Sequence, residues 1–543
     1  MDHPFISLLF PSEESRRAHA LPEGRPDITD TVCDELGLTE LFRLRGSALS
    51  EYFTADEAVI RYREATIADM IALPVLGETL ADALPVLYDI TELRRLDRDL
   101  GASSGESYLY SITEIELYVH VIDVLYRGLS AVSDRLKSDA FKALAVFVTE
   151  LVESDYYREL NERLRQLSSR MREVKSITVG VNLDAAMRPV DAGVISINSD
   201  SFKSGKVLDK ILRMSFRNDS MTCIANLTPF GKGQSDNRRD ALYSAFNAAI
   251  EDVFRSSVKS WRTIVGDYVL ENTDFLLRLL PEIEFVTKAT ALEGRLTERG
   301  YALCTPSLRP IADKVLTASA LYNPDVALRI EDEIVANDFT FDENARLYIL
   351  TGPNRGGKSV ITCAVGLTQA LVQLGLRAPA ASCEISPVRG IFTHFPEGAD
   401  DTIDKGRLGE ECARLRDIFD RVNEDSMVLL DESLSSTGSY EASYIGEEIL
   451  AGFAIARCRG IFSTHLHELA AALPEVNLRA AAAGGVRIDT LVAGIEEGRR
   501  SFRIHRTTPD GKSYARDIAN KYGLSLEEIT RRIEQKNTDR KEE

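Results

Sequence analysis

The stretch Leu347-Tyr-Ile-Leu-Thr-Gly-Pro-Asn-Arg-Gly-Gly-Lys-Ser359 decides the fold of this chain. Its opening apolar run leads into the spacing Gly352-x-x-x-x-Gly357-Lys358-Ser359, and mostly apolar and small residues follow up to Leu374. This order predicts a strand, a glycine-rich turn and a helix, which together form a phosphate-binding P-loop. Backbone N–H groups of the turn and the N-terminus of the helix would face the phosphates.

The same stretch supplies candidate ligands for ATP and Mg²⁺. Lys358 is expected to reach the β- and γ-phosphate oxygens, and the Ser359 hydroxyl is expected to bind Mg²⁺. The predicted nucleotide-binding residues are Gly352, Pro353, Asn354, Arg355, Gly356, Gly357, Lys358, Ser359 and Val360. A plain glycine turn before a helix is the alternative, and the strand and helix patterns on either side argue against it.

Two later stretches carry polar residues where predicted strands end. Asp425-Ser-Met-Val-Leu-Leu-Asp431-Glu432 is an apolar run that ends in two carboxylates. Asp431 is expected to support Mg²⁺, and Glu432 is expected to polarise the water that attacks the γ-phosphate. A third predicted strand, Gly460-Ile-Phe-Ser-Thr464, leads to His465, which is placed to contact the γ-phosphate or that water. Taken alone, a histidine there is more often structural.

These motifs predict an α/β P-loop ATPase domain with a mostly parallel sheet. Ligands gather at the carboxyl ends of the strands in such a sheet. The predicted catalytic residues are Glu432, His465 and Lys358, and the predicted metal ligands are Ser359 and Asp431.

Composition limits the other possibilities. A chain of 543 residues is too long for one core, so several domains are expected. The net charge of −20 excludes a global basic field, so any contact with nucleic acid has to be local. The seven cysteines contain no C-x-x-C pair, and no apolar run approaches membrane-spanning length. These features predict a cytoplasmic protein without disulfides or a zinc site.

Long helical patterns precede the P-loop. They run from Thr54 to Leu93, from Tyr108 to Val174, and from about Asp240 to Arg299 with an interruption at Pro281. Two long helical arms around a different insert suggest a lever-like all-α domain. An ordinary helical bundle is the alternative.

The insert at about 176–239 differs from the flanking helical patterns in both periodicity and charge. Residues 177–183 and 193–198 alternate as strands do. Between residues 203 and 239 there are eight basic and three acidic residues, which gives a local charge of +5. The first five basic residues would share one face of a helix and track a phosphate backbone, or they would form a solvated face. The candidate DNA-binding residues are Lys203, Lys206, Lys210, Arg213, Arg217, Lys232, Arg238 and Arg239.

At this point the motifs resemble those of the MutS family of DNA mismatch repair ATPases. Thr351-Gly-Pro-Asn-Arg-Gly-Gly-Lys-Ser359 looks like the family's T-G-P-N-M-G-G-K-S. Further segments follow in the family's order: Ala378-Pro-Ala380, Ile391-Phe-Thr393, Leu429-Leu-Asp-Glu432, Ser463-Thr-His-Leu-His-Glu-Leu469 and Ser513-Tyr-Ala-Arg-Asp-Ile-Ala519. The likeness is specific over the final 200 residues and architectural over about 50–320.

The resemblance implies a domain order and partners. It implies an N-terminal helical part over 1–100, lever helices with a clamp-like insert over 101–315, the ATPase domain over 316–500, and a dimerising helix-turn-helix over 501–543. The implied partners are mismatched or branched double-stranded DNA, a second copy of the chain, and a downstream repair protein, with no membrane. Association with the nucleoid would follow.

Two departures from the family pattern limit this expectation. The chain has no room for the family's N-terminal mismatch-binding domain, so a short member without it is expected. Lys405-Gly-Arg-Leu-Gly-Glu-Glu411 replaces a Gly-Arg-Ser-Thr-Phe segment that senses the nucleotide of the neighbouring subunit. Ser433-Leu-Ser-Ser-Thr437 likewise replaces Gly-Arg-Gly-Thr. Two other functions therefore remain open: a mechanical ATPase of the ABC type that acts on protein partners, and an ATP-binding regulatory module with little turnover.

Overall fold

The computed structural model describes most of the chain outside the insert and the C-terminal region. The described residues are 5–100, 106–173, 176–186, 189–198, 203–204, 222–223, 274–331, 333–343, 345–353, 355–396, 407–496, 499–507 and 525–533. The chain forms two compact units. One comprises Met1–Leu8 with Asp69–Thr287, and the other, which holds the P-loop, comprises Leu9–Ala68 with Lys288–Glu543.

The P-loop unit is built on a six-stranded sheet in the order β10-β11-β12-β8-β13-β14. All neighbouring pairs are parallel except β13 with β14 at one edge. The mostly parallel sheet predicted from the motifs is therefore confirmed. Its strands are β8 (Leu347–Thr351), β10 (Gly390–His394), β11 (Ser426–Asp431), β12 (Arg459–Ser463), β13 (Ile488–Glu496) and β14 (Arg499–Arg506).

Helices cover this sheet because its strands are apolar on both sides. All residues of β8, β10, β11 and β12 are buried, as expected of parallel strands between helical layers. On one side, Ile349, Val428 and Phe462 pack with Leu450 and Phe453 in a single apolar cluster. Along the chain the helices of this half are α10 (Pro324–Arg329), α11 (Lys358–Leu374), α12 (Arg407–Phe419), α13 (Ser439–Ala456), α14 (His467–Ala471) and α15 (Leu473–Ala482), and residues 526–533 are also helical.

A second, four-stranded sheet lies in the same unit, in the order β5-β9-β6-β7. Arg459 of β12 is fully buried and donates hydrogen bonds to the carbonyl oxygens of Val315, Ser386 and Pro387 beside this sheet. Backbone oxygens thus pair with both terminal nitrogens of the buried guanidinium, while its Nε has no partner among the described residues. The strands are β5 (Ser307–Leu308), β6 (Leu316–Leu321), β7 (Asn337–Phe341) and β9 (Ser382–Ile385).

The segment Leu9–Ala68 packs around the far end of α11. Gln373 donates to the carbonyl oxygen of Thr54 at 2.9 Å, and Gly375 ends the helix at φ 91° against the side chain of Arg63. The P-loop helix is therefore held at its C-terminal end. The helices of the N-terminal half are α1 (Glu13–Ala20), α2 (Asp30–Glu35), α3 (Leu38–Phe42), α4 (Glu57–Ala72), α5 (Pro74–Leu100), α6 (Glu106–Ser130), α7 (Asp139–Glu153) and α8 (Asp155–Glu173).

The other unit is mainly helical, as the sequence predicts. It contains α5 to α8 and the first part of α9 (residues 274–298). The expected interruption at Pro281 is wrong, because the helix continues through it. A proline removes one helical hydrogen bond without ending the helix, and buried Ile283, Phe285 and Val286 hold the next turn in place.

The start of the insert is a hairpin. Strands β1 (Ser176–Leu183) and β2 (Pro189–Asn198) pair antiparallel, which confirms the two predicted strands. Lys203 lies in β3 (Lys203–Ser204), which pairs with β4 (Thr222–Cys223), so the helix expected for the basic series is wrong at its first residue. At Lys203, backbone pairing with β4 favours an extended conformation over the helix that the spacing of basic residues predicted. The other seven candidate DNA-binding residues lie outside the described residues.

No single helix among the described residues is long and apolar enough to cross a membrane. Within the part of the chain that the structure describes, the bent pair Glu57–Ala72 and Pro74–Arg95 has the required length and composition when the two helices are taken together.

Candidate functional site: a P-loop nucleotide site

The P-loop connects β8 to α11 with backbone that only glycine adopts easily. Gly352 has φ 138°, and a Cβ there would lie 2.8 Å from the Ala493 side chain, too close for any side chain. Gly357 has φ 92° in the left-handed region and caps the N-terminus of α11. The predicted strand, turn and helix are therefore confirmed, and N–H groups of the first helical turn face the loop.

Lys358 is the buried charge at the centre of this loop. Its Nζ donates to the carbonyl oxygens of Gly352 at 3.2 Å and Pro353 at 3.3 Å. Burial lowers the pKa of Lys358, while the negative charges of Glu432 and Asp431 act in the opposite direction. The structure thus brings the lysine and both carboxylates of the two motifs close together.

The two carboxylates lie at the carboxyl end of β11, and β12 separates that strand from the P-loop strand. Asp431 ends β11 beside Ser463 of β12, and the Glu432 N–H donates to the Ser463 carbonyl oxygen at 2.9 Å. Glu432 itself has φ 47°, a left-handed conformation that is uncommon outside glycine. Its side chain is half-buried, whereas that of Asp431 is buried.

His465 lies two residues beyond the end of β12. The preceding Thr464 is buried and its N–H donates to the Leu350 carbonyl oxygen at 2.9 Å, which ties this turn to the P-loop strand. The His465 side chain is exposed. The turn is therefore on the same edge of the sheet as Lys358 and Glu432, as expected from the three strand ends.

A cavity of about 470 Å³ adjoins the P-loop. Its charged and hydroxyl-bearing lining residues near the P-loop motifs are Arg355, Lys358, Ser359 and Glu432, and Glu333 also lines it. Much of the remaining lining is apolar and comes from α10 and residues near it, including Tyr322, Val326, Ile330, Ile334 and Val335. Such a cavity offers both polar groups for phosphates and apolar side chains for a base.

Phe502, which is far from the other lining residues in sequence, also lines this cavity. It lies on β14 with φ 55°, and its ring would be 3.5 Å from a Cβ built on Gly357. Asn337 holds it there, donating to the Phe502 carbonyl oxygen at 3.1 Å and accepting from the Ile504 N–H at 2.8 Å. Sequence reasoning missed this wall. Ile334 and Val335 stand out as an apolar pair before a strand, but nothing in the sequence marks Phe502.

Some predicted residues lie outside the described residues. Asn354 of the P-loop is one of them, and so are Lys405 and Gly406 at the start of the Lys405–Glu411 segment, since α12 begins at Arg407. Glu411 is described, and its Oε2 accepts from the Ser436 hydroxyl at 2.8 Å. The two segments that depart from the family pattern are therefore in direct contact.

The parallel sheet, the glycine-bounded loop and the paired carboxylates define an α/β P-loop domain. Comparisons with known proteins agree. Residues 348–521 match the family described as MutS domain V, and residues 55–299 match the MutS2 N-terminal domain. The chain belongs to the MutS family.

Two relatives show how far the likeness extends. The DNA mismatch repair protein MutS of Prochlorococcus marinus (strain AS9601) is 36% identical over 170 residues, which is 30% of this chain and 19% of that protein. The protein of the same name from Parasynechococcus marenigrum (strain WH8102) is 33% identical over 243 residues, 43% of this chain and 25% of that protein. The chain thus spans about a fifth to a quarter of the length of these relatives.

Proposed function

We propose that this protein is an ATP-dependent DNA-binding protein of the MutS family that hydrolyses ATP. One observation carries the ATP part of the proposal. Lys358 and Ser359 of one motif and Glu432 of another line a single cavity together with several apolar side chains. A loop that bound only an ion would not need those apolar side chains.

The residues divide the work of hydrolysis among them. Backbone N–H groups at the start of α11 and the Lys358 ammonium bind the β- and γ-phosphates, and Lys358 offsets the charge that develops on the transferred phosphoryl oxygens. Ile334, Val335 and Phe502 hold the base and keep water from that end. The Glu432 carboxylate accepts a proton from the attacking water. His465 contacts the γ-phosphate or that water.

The site also suits Mg²⁺. Asp431 Oδ1 and Ser463 Oγ are both buried and have no hydrogen-bond partner among the described residues. A buried carboxylate oxygen without a partner is costly unless a cation binds it. Asp431 and the Ser359 hydroxyl would hold Mg²⁺, which supplies positive charge to the phosphate oxygens.

The DNA part of the proposal rests on the family and on the basic insert. ATP binding would close two nucleotide domains, in a homodimer, and the helical unit would transmit that closure to a DNA clamp at the insert. Eight basic residues within 203–239, in a chain of net charge −20, support the clamp. A downstream repair protein would bind the form of the protein that is clamped on DNA.

Equilibrium binding to DNA tests this function. Purified protein is titrated with matched duplex, mismatched duplex and a four-way junction, at two salt concentrations, with and without a non-hydrolysable ATP analogue. Binding that weakens with salt and depends on nucleotide is expected, because phosphate contacts release counterions. The ranking of the three DNAs distinguishes mismatch repair from the handling of branched DNA.

A parallel turnover assay separates the other functions. ATP hydrolysis without binding to any of the three DNAs would favour an ABC-type ATPase that acts on proteins. ATP binding with almost no turnover would favour a regulatory module.

A further inference from the structure

His394 and Ser433 form a buried polar pair behind the catalytic carboxylate. His394 is the last residue of β10, and Ser433 directly follows Glu432. Their side chains are only 2% and 3% exposed. The Ser433 Oγ lies 2.7 Å from His394 Nδ1 and 3.3 Å from the His394 carbonyl oxygen. A single hydroxyl therefore joins the edge strand to the loop after β11 through two contacts.

That loop has a conformation that needs outside support. Glu432 at φ 47° and Leu434 at φ 66° both adopt left-handed backbone, and neither is glycine. Such residues persist only where the surroundings hold them. Leu434 is anchored in the apolar cluster, and the Glu432 N–H is held by the Ser463 carbonyl oxygen. Ser433, between the two strained residues, is held by His394.

Burial keeps the His394 ring neutral. Burial, and secondarily the positive charge of Arg414 on α12, lower the pKa of His394 to about 4, whereas backbone hydrogen bonds at His394 and Glu411 act in the opposite direction. Arg414 is itself paired with Glu35 at 2.6 Å. The ring is thus a neutral hydrogen-bonding group near pH 7, and its contact with Ser433 does not depend on a charge that water would compete for.

We propose that His394 is a positioning residue for ATP hydrolysis: through the Ser433 hydroxyl it fixes the backbone that aims the Glu432 carboxylate at the attacking water. Neither His394 nor Ser433 is among the described residues that line the nucleotide cavity. Loss of the pair should therefore slow the chemical step and leave nucleotide binding unchanged. This inference rests on the proposed ATP hydrolysis.

Three substitutions in the full chain test it. Ser433→Ala removes the hydroxyl, His394→Phe keeps a ring without nitrogen, and His394→Asn keeps a hydrogen-bonding atom near the position of Nδ1. The matched control is Ser443→Ala, because Ser443 is also buried but its Oγ has no partner among the described residues. Steady-state turnover, the Kd for a non-hydrolysable ATP analogue and the thermal unfolding midpoint are measured for each.

Ser433→Ala and His394→Phe are each expected to lower kcat about 10-fold, equivalent to about 1.4 kcal/mol, with the Kd changed less than twofold. The double variant should be no slower than either single one, because both changes remove the same contact. His394→Asn should recover most of the rate, and Ser443→Ala should match the wild type. If Ser433→Ala unfolds, the comparison of His394→Phe with His394→Asn decides.

Two results would overturn the inference in distinguishable ways. Wild-type kcat in both Ser433→Ala and His394→Phe, with Glu432→Gln inactive, would leave the proposed hydrolysis standing and remove the positioning role. Equal turnover in the wild type and Glu432→Gln would remove the proposed hydrolysis, and the positioning role with it.

Discussion

Asp431 and Ser463 are register partners at the carboxyl ends of neighbouring parallel strands, and each presents a buried oxygen without a hydrogen-bond partner among the described residues. The Glu432 N–H donates to the Ser463 carbonyl oxygen, so the same pair of strands also places the proposed general base. Polar atoms left unpaired in this way at a strand edge are typical of a site that binds ligands rather than of a core.

Glu432→Gln should retain ATP and lose about 10²-fold or more in turnover, because an amide cannot accept the proton of the attacking water. Single-turnover hydrolysis and the binding of a fluorescent ATP analogue measure the two effects separately. Glu475→Gln, at an exposed position in the first turn of α15, is the control and should behave as the wild type. Normal hydrolysis by Glu432→Gln would show that another group is the base.

Gly357→Ala should destabilise the P-loop unit by about 1–2 kcal/mol, since φ 92° is unfavourable for any residue with a Cβ. The space itself is sufficient, because the nearest atom, in Phe502, would be 3.5 Å from the new methyl group. Urea unfolding measures the loss, and weaker ATP binding should accompany it.

Gly294→Ala is the control for that change. Gly294 lies inside the helix over residues 274–298 and has no atom within 4 Å of a Cβ, so its replacement should be neutral or slightly stabilising. Equal stability of the two alanine variants would contradict the role given to the left-handed backbone at Gly357.

The stability of the P-loop unit should fall as the pH drops from about 6.5 towards 4. Burial lowers the pKa of His394 to about 4 from an unfolded value of 6.5, so the unfolded chain binds the extra proton in this window. The contribution is fully present above pH 6.5 and is lost below it, up to a limit of about 3 kcal/mol. Urea midpoints at a series of pH values measure it.

His394→Asn should flatten that pH profile, and the difference from the wild type removes the effect of carboxylates that titrate in the same range. His120→Asn, at an exposed position on α6, should leave the profile unchanged. Parallel profiles for the wild type and His394→Asn would argue against a buried, neutral His394.

Replacing Lys203, Lys206 and Lys210 with glutamate should weaken DNA binding and make its salt dependence shallower. Each lost phosphate contact lowers the slope of log K against log salt by about 0.9, so three lost contacts give about 2.7. The control replaces Arg135, Lys137 and Lys142 with glutamate; these are exposed residues just before α7 and in its first turn. An unchanged slope in the first variant alongside intact folding would remove the insert as the DNA contact.

Local sequence patterns were enough to predict the strands and the helix around the P-loop. The apolar run before Gly352, the glycines and the apolar residues up to Leu374 correctly predict β8, the turn and α11, because such strands and helices obey short-range periodicity. The same holds for β11 and β12, and for the hairpin of β1 and β2. Pro281 shows the limit of local rules, since buried neighbours carry the helix through a residue that usually ends one.

The order of residues in the chain therefore established the class of the domain, its phosphate-binding loop, and which carboxylates meet it. Only the tertiary structure decided what surrounds those residues. Phe502 and Asn337 are 165 residues apart, yet their hydrogen bond shapes the wall of the cavity. Likewise His394 and Ser433, 39 residues apart, meet because β10 and β11 are neighbours in the sheet. Contacts of this kind depend on strand order and register, which long-range packing selects and no local pattern records.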